Sequence, residues 1–300
     1  MQPGYDNIVN MSRAILESLR PKQWPKNIVI FAGLIFDGQL THPEPFLRVL
    51  LAVIIFCLIS GVTYLINDLL DLEADRMHPV KRNRALASGR ISKKTVLILI
   101  AIFVLISFPL AFLLSPMFGF ICVAYTLLML AYSKFLKNLI IIDVIVLALG
   151  FILRVAAGIT VIKVEYFSPW LFVLTTLLAL FLGFGKRLSE LKLLQGSAGQ
   201  HRKVLEGYSI PLLNQYLNIL LGGILITYAF YTFWAHPSGN NYAMMATIPF
   251  VVYGLFRYLY ILHTGTQGAT PEEVLLKDHP LQISILLWGL TAIIVIYFFL

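Results

Sequence analysis

Apolar runs long enough to cross a membrane alternate with short polar stretches along most of the chain. A transmembrane helix needs about 20 mostly apolar residues. Nine segments fit that pattern: 28–40, 46–66, 95–114, 117–133, 139–161, 169–185, 212–234, 243–262 and 281–300. The first is short and flanked by Pro25 and Asp37; the other eight are clear. Ahead of them, Ile8, Met11, Ile15 and Leu19 recur at helical spacing, and Arg13, Glu17 and Arg20 lie off that stripe. This predicts an amphipathic helix on the membrane surface. Trp24 stands where an interfacial anchor belongs. Residues 1–27 carry neither an apolar core of signal-peptide length nor a small-residue cleavage site. The expected organisation is a cytoplasmic N-terminal segment, 1–27, and one transmembrane domain, 28–300.

Composition agrees. Hydrophobic residues make up 59% of the 300 positions and charged residues 13%, with a mean hydropathy of +0.83. Soluble domains lie near roughly 45–50% and 25%. The fold class is therefore all-α and polytopic. The net charge of +8 is a matter of topology. With the N-terminus inside, the inner segments 1–27, 67–94, 134–138, 186–211 and 263–280 hold 19 of the 23 Lys and Arg residues, as the positive-inside rule requires. No basic surface interleaved with aromatics lies outside the membrane, which excludes a nucleic-acid partner. Cys57 and Cys122 both sit in apolar runs and read as packing residues. Two inner segments, 67–94 and 186–211, are long and polar and suggest a weak pseudo-repeat. Ionisable residues gather there, so function is expected at the cytoplasmic face.

The densest signal is Asn67-Asp68-Leu69-Leu70-Asp71-Leu72-Glu73-Ala74-Asp75. Asp68, Asp71 and Asp75, spaced i, i+3, i+7, fall within about 60° on a helix. Three carboxylates on one stripe repel unless a cation lies between them, and hard oxygen donors suit Mg²⁺. The interspersed leucines mark the opposite face as buried. Basic residues follow at once: Arg76, His78, Lys81, Arg82 and Arg84. Acid followed by base suits a metal–phosphate ligand: carboxylates hold the metal, and cations neutralise the remaining phosphate oxygens. Arg90, Lys93 and Lys94 read as topology determinants.

With Asn67, these carboxylates form an N-D-x-x-D-x-x-x-D motif at the end of the second span. The block NDLLDLEADRMHPVKRNRALASG at 67–89 resembles the UbiA superfamily of intramembrane prenyltransferases. Three further segments are similar to its decaprenyl-phosphate phosphoribosyltransferase branch: Arg20-Pro21-Lys22-Gln23-Trp24-Pro25-Lys26-Asn27, Tyr132-Ser133-Lys134-Phe135-Leu136-Lys137 and Gly185-Lys186-Arg187-Leu188-Ser189-Glu190-Leu191. Together they span nearly the whole chain. The resemblance implies a nine-helix bundle with a central cavity open to the cytoplasm, in a bacterial inner membrane. It also implies a Mg²⁺ site at Asn67, Asp68, Asp71 and Asp75, with the three aspartates catalytic, and makes a homo-oligomer an expectation. Two positions depart from the pattern: Ala85 replaces a usual Pro and is expected to loosen the loop, and Pro25 is unusual in its motif.

The segment after the sixth span selects the branch. Ordinary members carry a second Asp-rich motif there, whereas this chain has Lys186, Arg187 and one acid, Glu190. Lys186 and Glu190, at i, i+4, can share a face. One end then suits a metal-bound diphosphate and the other a bare anion. The reaction implied is transfer of the phosphoribosyl group from phosphoribosyl pyrophosphate to a polyprenyl phosphate, supplying arabinose units to a cell envelope. Lys22, Lys26, Lys81, Arg82, Arg84 and Tyr132 are candidate donor contacts. Of Lys134 and Lys137, one is expected to bind phosphate, with Lys137 favoured by spacing.

Asp143 and Arg154 lie on one stripe but about 16 Å apart along the axis, too far to pair. Arg154 in mid-span costs about 3 kcal/mol, so it either contacts substrate or ties to backbone carbonyls. Arg257, near its span's end, reads as snorkelling. Two other readings compete. One is an ordinary prenyltransferase using a prenyl diphosphate, opposed by Lys186 and Arg187. The other is a transporter or lipid-binding protein, opposed by carboxylates at one mouth rather than at the midplane.

Overall fold

Proline marks where most long helices begin, because a first turn has no use for the missing N–H. Pro43, Pro116, Pro169 and Pro271 open helices, and Pro211 and Pro280 are second residues. The computed structural model describes residues 3–79, 81–164, 168–194, 203–233, 242–264 and 271–298. In chain order its α-helices are α1 (Pro3–Ser18), α2 (Ala32–Phe36), α3 (Pro43–Leu70), α4 (Leu72–Met77), α5 (Lys93–Leu114) and α6 (Pro116–Lys134), then α7 (Ile142–Thr160), α8 (Pro169–Leu194), α9 (Ile210–Phe233), α10 (Ile248–Thr264), α11 (Pro271–Lys277) and α12 (His279–Phe298). No strand occurs among the described residues. Eight helices are long and apolar enough to cross a membrane; α10 qualifies together with the 3₁₀ turn Tyr242–Thr247 before it.

The ninth predicted span, 28–40, is not a long α-helix. Residues Pro21–Phe31 form a 3₁₀ helix that runs into the five-residue α2. At about 2.0 Å per residue and then 1.5 Å, these sixteen residues still cover roughly 30 Å, the thickness of a hydrocarbon core. The segment runs antiparallel to α3: Leu19 packs on Gly61, Asn27 bonds Cys57 and Ser60, and Phe31 meets Phe46. On its other side, a Cβ at Gly158 would lie 1.9 Å from the Ile30 carbonyl oxygen, so α7 passes here only as glycine.

Helix α1 forms as expected, but its buried face is Ala14, Ser18 and Leu19, and Met11 is exposed. The side chain of Ile8 lies outside the described residues. The helix docks on Leu65, Leu72, Leu86 and Val96 rather than lying free, and Trp24 packs into the same cluster.

The chain divides into two compact units. The first is Met1–Leu34, Gln39–Lys134 and Leu153–Lys163; the second is Ile35–Gly38, Phe135–Ile152 and Val164–Leu300. The first is built on two apolar clusters, one around Ile55, Phe56 and Phe118, the other beneath α1. The second has its own, around Phe181, Leu188 and Leu217 and around Tyr231 and Met244. Helix α8 continues through Leu194, so Lys186, Arg187 and Glu190 stand on helix rather than in a loop. Residues 195–202 of the predicted inner segment lie outside the described residues.

Candidate active site

The first unit gathers the predicted acids. At Asp71 the backbone leaves α geometry (φ −94°, ψ 8°), which separates α3 from α4. The i→i−4 bonds nevertheless run through: the Asp71 N–H donates to the Asn67 carbonyl at 2.9 Å, and the Asp75 N–H to that of Asp71 at 2.8 Å. The stripe therefore survives the break. Asp68 and Asp75 are buried and Asp71 is half-buried. Leu72, four residues on from Asp68, is buried beside the stripe, whereas Leu70 and Glu73 on the opposite face are exposed, so the expected buried opposite face does not form.

Arginines neutralise these acids. Arg84 Nη1 donates to Asp75 Oδ2 at 2.5 Å and to Asp68 Oδ1 at 3.1 Å. Arg20 Nη2 donates to Asp68 Oδ1 at 2.5 Å, and its guanidinium lies over the Tyr64 ring, 4.7 Å from the centroid. Lys81 Nζ lies 4.0 Å from Asp75. Arg82 and Lys22 are exposed, and Lys26 is half-buried.

The loop after Arg84 is tight despite Ala85. The Ser88 N–H donates to the Arg84 carbonyl and the Ile91 N–H to that of Ala85. Gly89 supplies the φ of +78° that the turn needs. Arg90, read as a topology residue, ties the loop to α1 by donating to Glu17 Oε2 at 2.6 Å. The Arg90 hydrogen bond holds the Glu17 carboxyl below its ordinary range.

The second unit builds a different cluster. Arg187 is 1% exposed; its Nε donates to Asp143 Oδ2 and its Nη1 to Glu190 Oε2, both at 2.6 Å. Tyr208 donates its O–H to Asp143 Oδ1 at 2.9 Å and accepts the Ile141 N–H at 2.7 Å. Ile141 sits at φ +68°, a strained value for a β-branched residue. Burial pushes the Tyr208 phenol above its ordinary range. Glu190 thus pairs with Arg187 at i+3, and Asp143 pairs with Arg187. Lys186 is half-buried.

Arg154 is held by side chains. Its Nε donates to Asn27 Oδ1 and its Nη2 to the Tyr125 hydroxyl, both at 2.8 Å. The ties are to side chains of the first unit. Arg257 does not snorkel alone: its Nη2 donates to Asp278 Oδ2 at 2.8 Å. Tyr132 and Lys134 lie on the last turn of α6, and Lys137 lies in the 3₁₀ turn Leu136–Asn138. Arg20, Asn27, Tyr125 and Tyr208 were given no site role from the sequence, although Arg20 and Asn27 bound the N-terminal segment that resembles the family. Arg20 also directly precedes a proline, and the structure holds it at φ 54°.

Among the described residues, no three His, Cys, Asp or Glu side chains converge as a ready metal cage. The donor set still fits a hard divalent cation. It is all oxygen, three carboxylates and the Asn67 amide, and one guanidinium nitrogen already lies within hydrogen-bond reach of both Asp68 and Asp75.

A model of the UbiA prenyltransferase family matches residues 27–277. The chain is 30% identical to a decaprenyl-phosphate phosphoribosyltransferase of Corynebacterium glutamicum, over 96% of this chain and 88% of that one. It is 28% identical to the enzyme of the same name from Mycobacterium tuberculosis, over 94% of each. In structure it resembles a UbiA homolog from Archaeoglobus fulgidus bound to DMAPP and Mg²⁺, with a TM-score of 0.71 and 18% identity over 95% of this chain and 99% of that one. A multi-pass membrane protein with these motifs, matched from residue 27 to residue 277, belongs to the UbiA prenyltransferase family.

Proposed function

We propose that the protein transfers the 5-phosphoribosyl group of phosphoribosyl pyrophosphate to the phosphate of a polyprenyl phosphate, decaprenyl phosphate in the first instance. The observation that carries this is the set of alternating carboxylates and guanidiniums around Asp68 and Asp75. It lies in a chain whose near-full-length relatives bear the name of that activity. The bond from ribose C1 to the diphosphate oxygen breaks, and a bond from C1 to the acceptor's phosphate oxygen forms. Asp68, Asp71 and Asp75, supported by Asn67, would hold Mg²⁺; when bound, the ion would offset charge on the departing diphosphate.

The chain's own cations do the rest. Lys81, Arg82, Arg84, Lys22 and Lys26 neutralise donor phosphate oxygens, with Tyr132 and Lys134 or Lys137 as further contacts. Lys186 is assigned to the acceptor phosphate. Arg187, already bonded to two carboxylates, is assigned to positioning α8, together with Glu190 and Asp143. The acceptor's phosphate is ionised at neutral pH, so positioning and electrostatics suffice without a strong base. Arg154 is assigned to the scaffold. The charge asymmetry of the inner segments supports an N-terminus and a site on the cytoplasmic side, and the bacterial relatives support a bacterial inner membrane.

The test is a label-transfer assay in detergent with Mg²⁺, labelled phosphoribosyl pyrophosphate and decaprenyl phosphate. Label entering the organic phase, and lost with EDTA or with Asp71→Ala, supports the reading. Absence of transfer by folded protein overturns it. A prenyl diphosphate donor is the second reading, favoured by the fold shared with the DMAPP-bound homolog.

A further inference from the structure

We propose that Arg84, assisted by Arg20, is a counter-ion latch. It neutralises Asp68 and Asp75 while the site holds no ligand. It moves to the donor's diphosphate when a divalent cation takes its place between the two carboxylates. The inference rests on the reading of this cluster as the metal–diphosphate site.

Three observations lead there. A single atom, Arg84 Nη1, bonds both carboxylates, so the position between them is already a cation position. Asp68 and Asp75 are only 6% and 2% exposed. Such buried anions need a counter-charge at all times, because removing one partner of a buried pair is strongly unfavourable. The two arginines, by contrast, keep 26% and 25% of their side chains open. The backbone behind Arg84 is closed by the Ser88–Arg84 and Ile91–Ala85 hydrogen bonds, so an exchange moves a side chain and not the loop.

Chemistry gives the direction. A divalent cation alone must displace a well-placed guanidinium and leave it without a partner. A cation arriving with diphosphate supplies that partner, because phosphate oxygens accept the planar guanidinium fork in two places. Metal and diphosphate should therefore bind with positive coupling, and Arg84 should be its source.

The test uses the full-length chain in detergent, with Mn²⁺ as probe. Free Mn²⁺ is read by electron paramagnetic resonance, with and without inorganic diphosphate. Arg84→Gln should bind Mn²⁺ alone about tenfold more tightly than the wild type, and should lose most of the gain that diphosphate gives. Arg76→Gln removes the same charge from α4, where among the described residues Arg76 pairs with exposed Glu73, and reports the through-space effect. Arg84→Lys keeps a single nitrogen that can sit between the two carboxylates but lacks the fork that grips diphosphate in two places. It should bind Mn²⁺ alone much as the wild type does and lose part of the gain that diphosphate gives. The latch is overturned if Arg84→Gln matches Arg76→Gln, or if Arg84→Lys keeps the whole of the diphosphate gain. Mn²⁺ binding that is absent from every protein, even with diphosphate, overturns the metal reading and the latch with it. Normal Mn²⁺ binding with an unchanged Arg84→Gln removes the latch alone.

Discussion

In the first unit, Arg84 joins Asp68 to Asp75 while about a quarter of its side chain stays open. In the second, Arg187 joins Asp143 to Glu190 at 1% exposure, with Tyr208 closing the remaining side of Asp143. Both are one guanidinium between two carboxylates. In the first the guanidinium itself is open; in the second the guanidinium and Asp143 are sealed, and Glu190, 27% exposed, is the outer partner. Access, more than charge, separates a reactive ion cluster from a structural one. A basic residue at a helix end carries no function until its surroundings are known.

The largest effect should come from breaking the sealed cluster. Arg187→Ala strands Asp143 at 0% exposure and should cost about 3–5 kcal/mol of stability, read as a lower melting temperature in detergent. A variant that melts like the wild type but loses transfer would erase the contrast. In the open cluster, Asp71→Ala should lower transfer on the order of 10²–10³-fold and leave melting nearly unchanged.

Tyr208→Phe leaves the Ile141 N–H without its acceptor and should cost about 1–3 kcal/mol. It also carries a pH signature. The phenol's raised folded pKa means that its contribution is whole below the unfolded value, about 10. That contribution is lost as pH rises toward the folded value, since the unfolded chain releases the proton first. Melting curves from pH 8 to about 11 should fall for the wild type and flatten for Tyr208→Phe.

The smallest effect belongs to Asp278, whose carboxyl the Arg257 hydrogen bond holds below its ordinary range. Its contribution is present above about pH 4 and lost as pH falls through the folded value. Asp278→Asn should lower the melting temperature slightly at neutral pH, where the contribution is whole, and approach the wild type as pH falls through the folded value.

Much of the fold was legible because long apolar runs admit few alternatives in a bilayer. All eight clear spans became helices of crossing length. The ninth escaped because hydropathy gives the path a chain must cover but not the helix type that covers it. Asp68, Asp71 and Asp75 were readable from spacing alone, since they lie on one turn-by-turn stripe. Their partners were not. Arg20 reaches Asp68 across 48 positions and Arg187 reaches Asp143 across 44, and no local periodicity encodes such distances. Local spacing offered Glu190 two cations within one turn, Lys186 and Arg187, and did not show that Arg187 would also reach the buried Asp143.

The 3₁₀ stretch from Pro21 also bears on how the chain enters the bilayer. It holds Lys22, Lys26 and Asn27 and lacks the length by which the insertion machinery recognises a span. The run Pro43–Leu70, at mean hydropathy 2.8, has that length. The earlier segment thus depends on α3 for the burial of its polar groups, since Cys57 and Ser60 of α3 receive Asn27, and a chain ending before Pro43 should not hold it in the bilayer.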